Sequence, residues 1–104
     1  METRLMLNNY AKLIHAEAER KGFKVSWENV PLKLVLIHSE VSEALEEHRK
    51  GESVESYEAF AEELADIMIR TMDLAAGLNI DLEQAIITKM DKNSKRPFLH
   101  GKRY

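Results

Sequence analysis

The apolar positions of this chain recur at three- and four-residue steps, the spacing of one face of an α-helix. Met6, Tyr10, Leu13, Ile14 and Ala18 form the first such stripe, within a helix predicted over residues 3–20 with Thr3 or Asn8 near its start. Gly22 follows its last polar turn as a stop. Residues 22–30 are a connection, and then Leu34, Ile37, Val41, Ala44, Leu45 and His48 set a second stripe. That second helix is predicted from Pro31, a residue suited to a first helical position, to about Lys50, just before Gly51. Phe60, Leu64, Ile67, Thr71, Leu74 and Leu78 mark a third helix from about Tyr57 to Ala76. Ser53 or Ser56 supplies its cap, and Gly77 and Asn79 supply its stop. Asp81, with Gln84 three residues on, starts a fourth helix that runs through Leu82, Ala85, Ile86 and Lys89 to about Asn93. Pro97 blocks easy continuation, leaving residues 95–104 as a tail. No stretch carries a convincing strand pattern, so the expected fold is all-α, a single four-helix domain over 1–104.

Certain polar positions fall where plain solubility does not call for them. Glu40 and Glu43 form one E-x-x-E pair, and Glu63 and Asp66 a second acidic pair at the same spacing. Residues three apart on a helix lie on nearly the same face. Glu63, Asp66, Arg70 and Asp73 run as a stripe along the edge of the third apolar stripe, whereas Glu58 and Glu62 point away from it. Glu40 borders the second stripe, with Glu43 and Glu47 further round. A single E-x-x-E is ordinarily a solvated helix face. Two such pairs on packed helices gather four carboxylates, and their repulsion calls for a cation. Oxygen-only ligands suit Mg²⁺ or Mn²⁺ better than zinc.

Charge sharpens this picture. The chain of 104 residues has a net charge of −3, but residues 89–104 carry six Lys or Arg and one Asp, a balance of +5 that leaves −8 on the rest. Lys89, Lys92 and Asn93 share a helical face, Arg96 follows a turn later, and His100, Gly101 and Lys102 extend the cationic end. Cations at a helix C-terminus are favoured by the dipole alone. Beside an acidic metal site they also suit phosphate oxygens. The acidic body would repel a polyanion, so nucleic acid is not an expected partner.

Trp27, the only tryptophan, either plugs the end of the core or walls a pocket for a flat ring, with Lys21, Lys24 and Ser26 as polar neighbours. His15 reads as a surface or half-buried histidine. There is no cysteine, hence no disulfide and no thiol nucleophile, as suits a reducing compartment. The longest apolar run, Leu34 to Ile37, is far short of a membrane span, and the N-terminus lacks a signal-peptide pattern. The expected location is the cytoplasm. A short bundle with apolar faces on four helices has limited burial alone, which favours an oligomer.

The pair Glu40/Glu43, nineteen intervening residues, Glu63/Asp66, and then Lys89, Asn93 and Arg96 together resemble the MazG-like all-α nucleoside triphosphate pyrophosphohydrolases. The run Glu62-Glu63-Leu64-Ala65-Asp66-Ile67 is very similar to the family's second metal motif, and the resemblance spans about residues 32–104. It implies a helical bundle working as a homodimer or homotetramer, with Mg²⁺ held by Glu40, Glu43, Glu63 and Asp66. It implies cleavage of a (d)NTP between the α- and β-phosphates, with Lys89, Lys92, Asn93 and Arg96 on the phosphate chain. Lys102 and Trp27 are further substrate-side candidates. Many relatives place an extra glutamate ahead of the first pair as base, where this chain has Ser39 preceded by His38. The base is then Glu47, with Glu43 beside it, or water activated by the metal alone. His38 projects toward the core stripe and ranks below them. Within the same superfamily, phosphoribosyl-ATP pyrophosphohydrolase is an alternative, and outside it a non-catalytic helical nucleotide-binding or protein-interaction module.

Overall fold

Helix starts follow the side chains able to satisfy orphan backbone N–H groups. Ser53 Oγ accepts from the Ser56 N–H at 3.0 Å and Asp81 Oδ1 from the Gln84 N–H at 2.9 Å, opening two of the four helices. The computed structural model describes residues 4–101 and 103, with side chains from Met6 to Leu99 and at Arg103. The helices are α1 (Arg4–Arg20), α2 (Val30–Arg49), α3 (Val54–Gly77) and α4 (Leu82–Ser94), with 3-10 turns at Trp27–Asn29 and Phe98–Gly101. No strand occurs among the described residues. The all-α expectation holds. α3 starts earlier than predicted because Ser53, not Ser56, is the cap. α2 starts at Val30, so Pro31 sits just inside the first turn, where its missing N–H costs nothing.

Gly51, at φ +98°, turns the short link between α2 and α3. Two long helices joined by so short a link run antiparallel. α3 packs against both α2 and α1, while α4 rests mainly on α1. Asn8 fastens α4 to α1: its N–H donates to Glu83 Oε1 at 2.8 Å, its Nδ2 to Asp81 Oδ1 at 2.7 Å, and its Oδ1 accepts from the Glu83 N–H at 3.3 Å.

Small residues mark the closest approaches. Ala11, Ala44, Met72 and Ala75 are the buried apolar side chains among the described residues. Gly77 ends α3 against Val25, and a Cβ built there would fall inside the Val25 side chain. Gly77→Ala should therefore destabilise the chain. Overpacking costs about 1–3 kcal/mol, more than the roughly 1 kcal/mol that alanine gains over glycine in an open helix. A lower denaturant midpoint would register this, and a raised midpoint would contradict the tight contact.

The predicted core stripes are only partly enclosed. Phe60, Ile67, Thr71, Leu74, Leu78 and Ile37 are half-buried and Ala44 is buried, but Leu34, Val41, Leu45, Leu64 and His48 are exposed. Those stripes are wider than one helix contact, and α1 covers only one side of the α2–α3 pair. His38, expected toward the core, is exposed for the same reason. Trp27 is 75% exposed, so it plugs no core within one chain. The chain exposes 8283 Å², about 2,300 Å² more than the roughly 6,000 Å² of a compact monomer of its 12.0 kDa mass. Its Cα radius of gyration is 16.1 Å, against about 13 Å for a compact domain of this length. No helix among the described residues is long and apolar enough to cross a membrane.

Candidate metal centre

The antiparallel α2–α3 pair sets Glu40 and Glu43 opposite Glu63. One carboxylate oxygen from each lies within 4.8 Å of the other two. Glu40, placed by the sequence at the margin of the core, is 7% exposed. Glu63 is half-buried and Glu43 is exposed. The Oε2 atoms of Glu40 and Glu63 are buried without a hydrogen-bond partner among the described residues. Buried carboxylate oxygens ordinarily find a donor or a cation. Here both belong to residues whose carboxylates converge with a third, a donor set of hard oxygens that fits a divalent cation such as Mg²⁺.

Electrostatics agree with that geometry. The Glu43 carboxyl is raised above its ordinary range, first by the hydrogen bond that its protonated form makes to Glu40. The negative charge of Glu40, desolvation and the charge of Glu63 act in the same direction. Asp66 stands outside the trio and is exposed. It lines a neighbouring cavity of about 540 Å³ that Glu40 also borders.

That cavity opens between α1, α2 and α3. Leu13, Ile14, Phe23 and Ile69 supply apolar wall; Lys21, Lys33 and Arg70 supply positive charge; Glu17 and Asp73 add carboxylates. Lys33 Nζ sits 5.8 Å from the centre of the Phe23 ring. Arg70 Nε donates to Glu40 Oε1 at 3.0 Å. His15, half-buried as expected, pairs through Nδ1 with Asp73 Oδ1 at 2.8 Å. Of Trp27 and its polar neighbours, Lys21 is in this lining and Lys24, Ser26 and Trp27 are not. Phe23 occupies the aromatic position there that the sequence offered to Trp27. The roles of Phe23 and Lys33 had no sequence signal, because they border this cavity only once α1 and α2 both pack on α3. Arg70 did have one: it continues the Glu63–Asp66 stripe.

Other candidates are spread more widely. Glu47 is half-buried and lines a cavity of about 440 Å³ at the α2–α3 turn with His48, Gly51, Glu52, Ser56, Tyr57 and Phe60. Lys50 Nζ lies 2.9 Å from Glu47 Oε1, and that contact raises the lysine above its ordinary range. Ser39 is exposed, its Oγ donating to the Leu36 carbonyl at 2.8 Å. Lys89 and Lys92 line a separate depression with Asp81, Gln84, Ala85 and Thr88. Asn93 is half-buried, with its Oδ1 buried and unpartnered among the described residues. Arg96 is exposed just beyond α4. None of these four is in the lining of the cavity beside the carboxylates, because α4 docks on α1 rather than on α2. Lys102 lies outside the described residues.

The chain is 48% identical over 42 residues to dCTP pyrophosphatase 1 of Mus musculus, and equally so to dCTP pyrophosphatase 1 of Bos taurus. Each match covers 40% of this chain and 25% of the relative, so it spans about a quarter of the relatives' length. No family model and no solved structure matches the chain.

Proposed function

We propose that this chain is a Mg²⁺-dependent nucleotide pyrophosphohydrolase that cleaves a (d)NTP between its α- and β-phosphates, releasing the monophosphate and pyrophosphate in the cytoplasm. The observation that carries this is the convergence of Glu40, Glu43 and Glu63, with two buried unpartnered oxygens, beside a cavity of nucleotide size. The partial likeness to dCTP pyrophosphatases supports the same reaction class.

Glu40, Glu43 and Glu63 would hold the metal, with Asp66 one helical turn from Glu63. The ion would supply positive charge against the triphosphate and make water a better nucleophile at neutral pH. Lys21 and Lys33 would bind and orient phosphate oxygens, and their charge would favour the leaving pyrophosphate. Leu13, Ile14 and Phe23 offer the base and sugar an apolar surface. Glu43, the exposed member of the trio, can take a proton from the attacking water. Glu47 can do so once Lys50 releases it. Mn²⁺ suits the same ligands.

A homodimer or homotetramer is part of this proposal. The excess of about 2,300 Å² per chain exceeds the roughly 800 Å² each partner gives to a standard interface. In one chain Lys89, Lys92, Asn93 and Arg96 stand apart from the cavity, so they would meet phosphate as part of a neighbouring copy.

A second reading has two observations in its favour. Ser39 is no base and Lys50 occupies Glu47, which suits a chain that binds nucleotide without turning it over. The test is pyrophosphate release from a panel of (d)NTPs with Mg²⁺, Mn²⁺ or EDTA. Metal-dependent release is expected, with a preference that names the base. Metal and nucleotide binding without release from any of them would favour the second reading.

A further inference from the structure

The paired carboxylates have a partner that neither the metal reading nor the α4 cations account for. Arg70 lies on α3 seven residues beyond Glu63, yet it reaches across to α2. Its Nε donates to Glu40 Oε1 at 3.0 Å, and this is its only side-chain hydrogen bond among the described residues. The two oxygens of Glu40 therefore differ. Oε1 is held by Arg70, and Oε2 is buried with no partner. The Glu40 side chain is 10% exposed and that of Arg70 38%, so the contact is screened on the carboxylate side.

We infer that Arg70 is a positioning residue for the metal centre: its Nε–H clamps one oxygen of Glu40 so that the other is presented to the cation. A carboxylate rotating freely about its terminal torsion would lose that freedom on binding metal. A clamped one has lost it already. Groups that orient metal ligands commonly govern affinity in this way. The inference rests on the metal reading, and its test separates the two.

Positioning and simple charge predict opposite signs. Arg70 is a cation beside a cation site. If its charge alone mattered, removing it would strengthen metal binding. If the clamp matters, removing it weakens metal binding despite the relief of repulsion. The full chain is titrated with MnCl₂ in a calorimeter, without nucleotide, as wild type, Arg70→Gln and Arg70→Lys. Both variants are expected to bind Mn²⁺ about tenfold more weakly, because lysine keeps the charge but has no N–H at the Nε position. Thermal midpoints of the metal-free proteins confirm folding, and Arg70→Lys, which retains most of the aliphatic stem, serves if Arg70→Gln is unstable. Raising Mn²⁺ should then restore the turnover of Arg70→Lys, which a purely structural defect would not allow. Tighter or unchanged Mn²⁺ binding in Arg70→Gln overturns the positioning role. A wild type that binds no Mn²⁺ overturns the metal reading itself.

Discussion

Replacing Glu63 with glutamine should abolish metal binding while making the metal-free chain more stable. Glu63 contributes one of three carboxylate oxygens lying within 4.8 Å of each other. A neutral amide keeps the shape but removes a charged ligand. The loss should exceed the roughly 10–100-fold that follows removal of an outer-sphere partner, and pyrophosphate release should fall with it. The opposite sign on stability comes from the same geometry. In the metal-free chain, Glu63 repels Glu40 and Glu43 and helps to raise Glu43 above its ordinary carboxyl range. A carboxyl raised on folding binds protons more tightly in the folded state. Its contribution is fully present below the unfolded pKa and lost as pH rises through the folded one. Metal-free wild type should therefore gain from Glu43 as pH falls from neutral toward the ordinary carboxyl range, and Glu63→Gln should gain less. Thermal melts at several pH values, with EDTA or with Mg²⁺, test both signs. A mutant that still gains stability from Mg²⁺ as wild type does would remove Glu63 from the metal site.

The second large effect concerns assembly. Val41 and Leu45 lie one turn apart on α2, half exposed in a single chain. Val41→Glu with Leu45→Glu should reduce the light-scattering mass from a multiple of 12.0 kDa to a single chain. Stability should fall with it: fully burying such an apolar side chain is worth about 1.5–3 kcal/mol, and the interface would supply about half of that at each position. A wild type already at the mass of one chain would contradict the oligomer, and an unchanged mass in the double variant would move the interface to another face.

Much of the fold is legible in one dimension. Helical spacing, Pro31 near a helix start, Asp81 as a cap and Gly51 at a turn are local facts, and local backbone physics decides them. The pairing of Glu40 with Glu43, and of Glu63 with Asp66 and Arg70, is likewise written in three- and four-residue steps, because a helix converts sequence distance into direction. A short link after Gly51 then makes α2 and α3 neighbours. What lies within the α2–α3 hairpin could thus be anticipated, including the meeting of acidic faces.

Tertiary packing decided the rest. Whether Glu40 is marginal or buried depends on which helix covers that side of α2, and spacing carries no such information. The sequence favoured Asp66 as an equal fourth ligand, but the hairpin register brings Glu63 to the trio and turns Asp66 to the cavity. Lys21, Phe23 and Lys33 meet Arg70 only because α1 folds back across the hairpin. Lys89 and Lys92 stand apart because Asn8 fastens α4 to α1. The half-exposed stripes teach the same lesson. A periodic apolar face announces that it will be covered, but the contact that covers it is long-range, and the sequence alone does not say whether the same chain or another supplies it.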